Sequence, residues 1–182
     1  MRVTAVIHTI GHGRRPAEEL VECIQEVGVE TLVDVRRFPS SRRNPQFNQA
    51  TLATTLADAG ISYQHAGELG GLRTEEPGEE LFECLGQFAG YASRMRTPAW
   101  QAALDEALDH PNPCLMCAET PWRRCHRRLI AELLVASGSE VVHLIEPGVQ
   151  ERHNPHPQAE IRGGALYLCG QLVREVSSDP IR

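Results

Sequence analysis

Thiol, carboxylate, imidazole and guanidinium groups crowd into one short window, Cys114-Leu-Met-Cys117-Ala-Glu119-Thr-Pro-Trp-Arg-Arg-Cys125-His126-Arg127-Arg128. An apolar strand ends in Cys117, a polar turn carries Glu119, and a helix opens around Cys125 and His126. A helix N-terminus lowers the pKa of a facing thiol and makes it a nucleophile or a metal ligand. Cys117 is therefore the candidate nucleophile, with Glu119 and His12 as acid–base groups. Cys125 and His126, with Cys117, are candidate ligands for zinc or iron, although neighbouring helical residues diverge by about 100° and would share one metal awkwardly. Cys117 and Arg123 also show the C-x-x-x-x-x-R spacing of oxyanion-binding phosphatase and sulfurtransferase loops. Against that reading, Glu119 repels an anion, Pro121 has no N–H and the usual glycines are missing. Cys114 and Cys117 form a C-x-x-C pair, but on an extended strand they face opposite sides, which places Cys114 in the core. A wholly structural alternative, buried cysteine with salt-bridged Glu and Arg, stands beside these.

Other groups could converge with that window. Gly11-His12-Gly13 allows close backbone approach and exposes amides at a helix start, a natural anion seat. It lacks the third glycine of a G-x-G-x-x-G fingerprint, so no dinucleotide cofactor is expected. Arg36, Arg37, Arg42 and Arg43 form one arginine cluster, and Arg123, Arg124, Arg127 and Arg128 another. Arginine forks suit carboxylate and phosphate; solvated helix faces are the plainer reading. Asp34 alternates with Arg36 and pairs with an arginine or a turn amide. Tyr63 or Trp122 would offer a stacking surface.

The elements that must position these groups alternate between strand and helix. Residues 3–10, 31–36, 61–66, 113–118 and 140–145 read as strands. Helices are expected at 16–27, 49–59, 79–94, 98–109 and 121–136, the last capped by Thr120, and residues 68–77 read as a mobile loop. Such alternation implies βαβ units and a mostly parallel sheet of about five strands with helices on its faces. In a parallel sheet all strand carboxyl ends share one edge. The turns after the first four strands would bring His12, Arg36 to Arg43, Tyr63 with His65, and Cys117 to His126 along one rim. One α/β domain over residues 1–182 is expected, with an irregular tail from about residue 147, where 165–169 could add a last strand.

Composition narrows the options. The chain has 182 residues, 41% hydrophobic and 23% charged, which suits a soluble globular protein. No apolar run approaches the ~20 residues of a membrane span, and the N-terminus lacks a secretory pattern. A cytoplasmic protein without a membrane partner is the expectation. All 18 basic residues are Arg, which excludes lysine Schiff-base chemistry. The net charge of -6 argues against broad duplex-DNA binding but leaves room for a local nucleic-acid groove. The six cysteines are expected to be thiols rather than disulfides, with Cys23 and Cys84 as small buried hydrophobes.

The segments Thr9-Ile-Gly-His-Gly13, Leu32-Val-Asp-Val-Arg36, Pro39-Ser-Ser-Arg42, Asn44-Pro-Gln-Phe47, Tyr63-Gln-His65, Leu69-Gly-Gly71, Leu115-Met-Cys-Ala-Glu119 and Cys125-His-Arg127 resemble the family called domain of unknown function 488. The resemblance spans roughly residues 5 to 170. It implies a compact Rossmann-like three-layer α/β sandwich and no settled reaction. It carries over Gly11, His12, Asp34, Arg36, Pro39, Ser41, Arg42, Phe47, Tyr63, Leu69, Gly70, Gly71, Cys117, Glu119, Cys125, His126 and Arg127. Gly13 departs from the pattern, which would have serine there.

The expectation from all of this is an enzyme acting on a small anionic or nucleotide-like substrate at the carboxyl edge of the sheet. Cys117, Glu119 and His12 would carry the chemistry. Gly11, Arg36, Ser41, Arg42, Tyr63, His65 and Arg127 would bind substrate. The alternatives are a nucleic-acid-binding module that uses the arginine clusters without chemistry, and a metal-dependent site at Cys117, Cys125 and His126.

Overall fold

The computed structural model describes residues 5–71 and 76–175. Nine strands and five α-helices occur among them: β1 (Val6–Gly11), α1 (Ala17–Gln25), β2 (Thr31–Asp34), α2 (Gln49–Asp58), β3 (Ser62–His65), α3 (Ala89–Arg94), α4 (Pro98–Leu108), β4 (Pro113–Cys117), α5 (Arg127–Ala136), β5 (Glu140–Glu146), β6 (Val149–Arg152), β7 (Ala159–Arg162), β8 (Ala165–Leu168) and β9 (Gln171–Glu175). The main sheet has the order β3-β2-β4-β1-β5-β6, parallel except for β6, so the fold is mixed α/β with a mostly parallel sheet.

The central strands are apolar on both faces because both faces are covered. Ile10, Leu32, Cys114 and Met116 pack with α1 and α2 through Leu20, Ile24, Leu52 and Leu56. Ile7, Val33, Leu115 and Cys117 pack with residues of α3, α4 and α5, including Trp100, Leu104, Leu129 and Leu133. Cys114 and Cys117 thus enter opposite cores, as period-two alternation requires.

Several elements depart from the sequence expectations. The helix expected over 79–94 is a 3-10 segment, Glu79–Phe88, broken at Gly86 (φ +55°), followed by the short α3. The helix expected from residue 121 starts only at Arg127. A 3-10 turn, Trp122–Arg124, precedes it, Cys125 is extended, and Thr120 caps nothing. Trp122 dictates this. Its ring is buried against His143 (centroids 4.1 Å apart) and its N–H donates to Glu151 (2.9 Å), which pulls the chain out of helical register. Within the loop expected at 68–77, Gly67–Leu69 is a 3-10 turn with Leu69 buried, and residues 72–75 lie outside the described residues.

The stretch after Pro147 is ordered into strands. A turn with Gly148 at φ +73° sends β6 back along β5, and β7-β8-β9 form a separate antiparallel sheet. Leu166, Leu168 and Val173 of that sheet join the core beside α5. Period-two alternation is weak in strands this short, which hides β6, β7 and β9, while β8 falls where residues 165–169 are expected to add a strand. Cys84 and Cys169 are bonded as a disulfide, with Cα atoms 6.0 Å apart, which corrects the expectation of free thiols. Cys84 is also exposed rather than a buried hydrophobe, whereas Cys23 is buried. No helix among the described residues is long and apolar enough to cross a membrane.

Candidate functional site

A cleft of about 780 Å³ opens at the carboxyl ends of β1, β2 and β4. Ligand clefts in open α/β sheets lie at this edge, where the strand order reverses between neighbours. Backbone pairing continues past the strand ends and fixes its walls: His12 N–H donates to the Cys117 carbonyl (2.9 Å) and Gly13 N–H to Ala118 (3.0 Å). The walls meet so closely that a Cβ on Gly11 would overlap the Glu119 backbone. Gly13 sits at φ +56°, and the Thr120 hydroxyl occupies the space a side chain there would need. The serine expected at position 13 is excluded on both counts, and a hydroxyl reaches the spot from Thr120 instead.

One wall is built on the end of β2. Asp34 is fully buried and its carboxylate accepts from the Arg36 backbone N–H (3.1 Å), Arg36 Nε (2.8 Å), Arg36 Nη2 and the Tyr63 hydroxyl (2.8 Å). Arg36 also donates to the Phe47 carbonyl (2.8 Å) and to His12 Nε2 (3.2 Å). A guanidinium only donates, so His12 Nε2 is the acceptor and Nδ1 carries the proton given to the Gly13 carbonyl (2.9 Å). Burial, reinforced by the Arg36 charge, holds His12 down at about 4, so the ring is neutral. It stacks on Phe47 at 4.4 Å. Both nitrogens are engaged, which makes His12 a fixed wall rather than a free base.

The opposite wall is the stretch from Cys117 to Arg127. Cys117 and Cys125 bring their sulfurs to 2.9 Å. Cys125 Sγ also receives the backbone N–H of Arg127 (3.4 Å), at the first turn of α5, and lies 3.5 Å from His126 Nδ1. Burial opposes ionisation of Cys125, but the Cys117 hydrogen bond, His126 and the Arg127 charge outweigh it and hold its thiol well below the ordinary range. Burial and the donated bond push Cys117 up. The backbone amide at the start of α5 thus meets Cys125, where the sequence reading sets the helix N-terminus against Cys117.

Charge in the cleft comes from Arg14, Arg36, Arg37 and Arg43 against one lining carboxylate, Glu119. Arg14, Arg37 and Arg43 are exposed and have no hydrogen-bond or ion-pair partner among the described residues. Gly70 lets its turn press onto the Arg37 backbone, where a Cβ would overlap, and so fixes that arginine at the mouth. Phe38, 66% exposed, lies on the same rim.

The structure brings together His12, Arg36, Ser41, Cys117, Glu119, Cys125 and His126 on the cleft. Gly11 lies beneath it. Arg42, Tyr63, His65 and Arg127 do not line it. Tyr63 holds Asp34, and His65 Nε2 donates to the Arg36 carbonyl (2.8 Å). Arg127 is buried and donates to the Glu119 carbonyl (2.7 Å), the Thr120 carbonyl (3.3 Å) and the Thr9 hydroxyl (3.1 Å). Trp122 is buried and cannot stack on a ligand. Arg14 and Phe38 line the cleft outside the residues the sequence points to, and Arg37 and Arg43, members of the first arginine cluster, line it although the expected substrate-binding set omits them. Alternation past Asp34 and Arg36 was the available signal, since it turns Arg37 away from the buried network.

The Cys117 and Cys125 sulfurs, 2.9 Å apart, stand closer than the about 3.8 Å of two thiolates on one tetrahedral zinc with Zn–S bonds of ~2.3 Å. Among the described residues no group of three or more His, Cys, Asp or Glu side chains could hold a metal ion.

Fold and site together define an α/β protein with a cationic, thiol-bearing cleft at the carboxyl edge of a mostly parallel sheet. The family model described as "Domain of unknown function DUF488" matches residues 16–134, and the chain belongs to that family. The matched span is narrower than the resemblance over roughly 5–170, leaving Gly11 and His12 outside it. Neither a curated protein nor a solved structure matches the chain.

Proposed function

We propose that this protein is an enzyme that binds a small anionic, nucleotide-like substrate in the cleft and attacks it with the Cys125 thiolate. The observation that carries the reading is the placement of Arg14, Arg37 and Arg43, three arginines without hydrogen-bond or ion-pair partners among the described residues, on the cleft that also holds the Cys117–Cys125 sulfur pair. Guanidinium forks bind phosphate and carboxylate oxygens and raise the local anion concentration, even in a chain of net charge -6. Arg36 adds its charge but is held by Asp34 and positions the wall. Phe38 is the aromatic face free to stack on a base, in place of Tyr63 and Trp122. Glu119, at the rim, is the carboxylate available for proton transfer, and Ser41 and Thr120 offer hydroxyls. Helices packed on both faces of the sheet support reading the architecture as a Rossmann-like three-layer sandwich.

Alkylation tests anion binding and thiolate character together. Iodoacetate, an anion, should modify Cys125 ahead of the other thiols and about tenfold faster than neutral iodoacetamide after correction for intrinsic reactivity. Inorganic phosphate should protect. Equal rates for the two reagents with no protection by phosphate would overturn the reading.

A further inference from the structure

Cys117 is more than a hydrogen-bond donor if the sulfur of Cys125 is attacked in turn. We propose that Cys117 and Cys125 form a two-electron dithiol that reduces an anionic, carboxylate-bearing disulfide in the cleft, Cys125 opening the ligand and Cys117 resolving the adduct. The proposal rests on the reading that the cleft takes small anions and that Cys125 is its nucleophile.

The geometry points this way on three counts. The sulfurs stand 2.9 Å apart, so closure to a disulfide of ~2.05 Å needs a shift of about 0.9 Å. Cys125 lies on an extended residue between a 3-10 turn and α5 and belongs to no strand; its backbone bonds run only to Trp122 and Arg128 (3.1 Å each), so a side-chain shift there disturbs no sheet ladder. The remaining free cysteines, Cys23 and Cys114, are buried in the other core, so Cys117 is the resolving thiol within reach. Both sulfurs line the cleft and both residues are nearly fully buried, but Cys117 is pinned at the end of β4 while Cys125 sits on the irregular stretch before α5, a placement suited to Cys117 as the resolving thiol.

The steps balance. The Cys125 thiolate attacks one sulfur of the ligand. The ligand S–S bond breaks, a Cys125–ligand disulfide forms, and the departing thiolate takes a proton from solvent. Cys117 Sγ then attacks Cys125 Sγ, the mixed disulfide breaks, and the second ligand thiol leaves with the proton Cys117 gives up. Two electrons pass from the cysteine pair to the ligand. An external dithiol reductant returns the pair to its reduced form, the ordinary route of thiol–disulfide exchange. Arg14, Arg37 and Arg43 would select ligands carrying carboxylates, and Glu119 would disfavour those whose negative charge sits beside the reacting sulfur.

The test uses the whole protein with Cys117 and Cys125 reduced, and oxidised glutathione as the probe. The proposal predicts two glutathione thiols released per chain and a Cys117–Cys125 link in the peptide map, separate from Cys84–Cys169. Neutral 2-hydroxyethyl disulfide should react about tenfold slower, and Arg37→Ala should shrink that difference. Cys117→Ser, or Cys117→Ala where serine does not fold, should stop after one thiol with glutathione retained on Cys125. A wild-type adduct on Cys125 that persists unresolved would overturn the proposal, as would failure to form the link. If iodoacetate labelling and phosphate protection survive while no link forms, the anion-cleft reading stands and the two-electron role fails. Loss of both would remove the reading as well.

Discussion

Arg37 and Arg43 face the cleft without partners among the described residues, whereas most of the second arginine cluster is held by its own neighbours. Arg123 lies over the Trp122 ring at 4.3 Å and donates to Glu151 (2.9 Å), Arg128 lies over Phe88 at 4.5 Å, and Arg127 is buried on backbone carbonyls. Arg124 alone of that group faces a smaller recess of about 220 Å³. The two clusters have the same composition and different surroundings. What separates them is the local path of the chain. After Arg36 an irregular loop leaves Arg37, Arg42 and Arg43 exposed near the sheet edge, while after β4 the start of α5 buries Arg127 and the exposed Arg123 is taken up by Trp122 and Glu151. Charge density in a sequence marks where cations lie, and the fold decides whether they meet a ligand or a neighbour.

That contrast can be broken at several points. The largest effect belongs to Asp34, which anchors the one member of the first cluster that is buried. Asp34→Ala leaves Arg36 buried without its carboxylate and should cost roughly 3–5 kcal/mol in urea unfolding, with much of the loss recovered in Asp34→Ala/Arg36→Met. A loss under about 1 kcal/mol would show that the pair does not organise the wall. Arg127→Met comes next. It strands the Glu119 and Thr120 carbonyls and should cost about 2–3 kcal/mol by the same measurement.

Each cluster also has a buried histidine beside it. His12 is held at about 4 by burial and by Arg36, and His143 at about 2 by burial, Arg127 and His153. Both rings stay neutral in the fold where a free imidazole, near 6.5, takes a proton. The unfolded chain therefore binds more protons below about pH 6.5, and stability falls as pH drops from 7 to 5, by at least about 1 kcal/mol. Unfolding free energies measured across that range check the sign; a flat profile would mean that one or both rings ionise within the fold. The smallest effects on stability belong to Arg37→Ala and Arg43→Ala, within about 0.5 kcal/mol, although each should weaken phosphate binding roughly tenfold. Arg42→Ala, off the cleft, should alter neither.

Four of the five parallel strands, β1, β2, β4 and β5, were legible because buried strands read as apolar runs closed by glycine or proline; β3, the polar and mostly exposed edge strand Ser62–His65, was legible through the stop at Gly60 before it. Parity alone placed Cys114 and Cys117 in opposite cores, and the parallel order brought the turns after β1, β2 and β4 to one edge. The rest depended on contacts that no local pattern encodes. Trp122 moved the start of α5 by reaching His143 and Glu151, residues far along the chain, and with it moved the helix-start amide from Cys117 to Cys125. Arg37 and Arg43 line the cleft and Arg42 does not; alternation past Arg36 reaches only Arg37, and beyond it residues 38–44 form a loop in which neither helical nor strand periodicity assigns a direction.

The central claim is that the first arginine cluster, and not the second, holds the anion. Calorimetric titration of inorganic phosphate into the wild type, Arg37→Ala/Arg43→Ala and Arg123→Ala/Arg128→Ala tests it directly. The account predicts that the first double variant loses binding by about 100-fold while the second stays within about threefold of wild type. Equal losses in the two variants, or loss confined to the second, would contradict it.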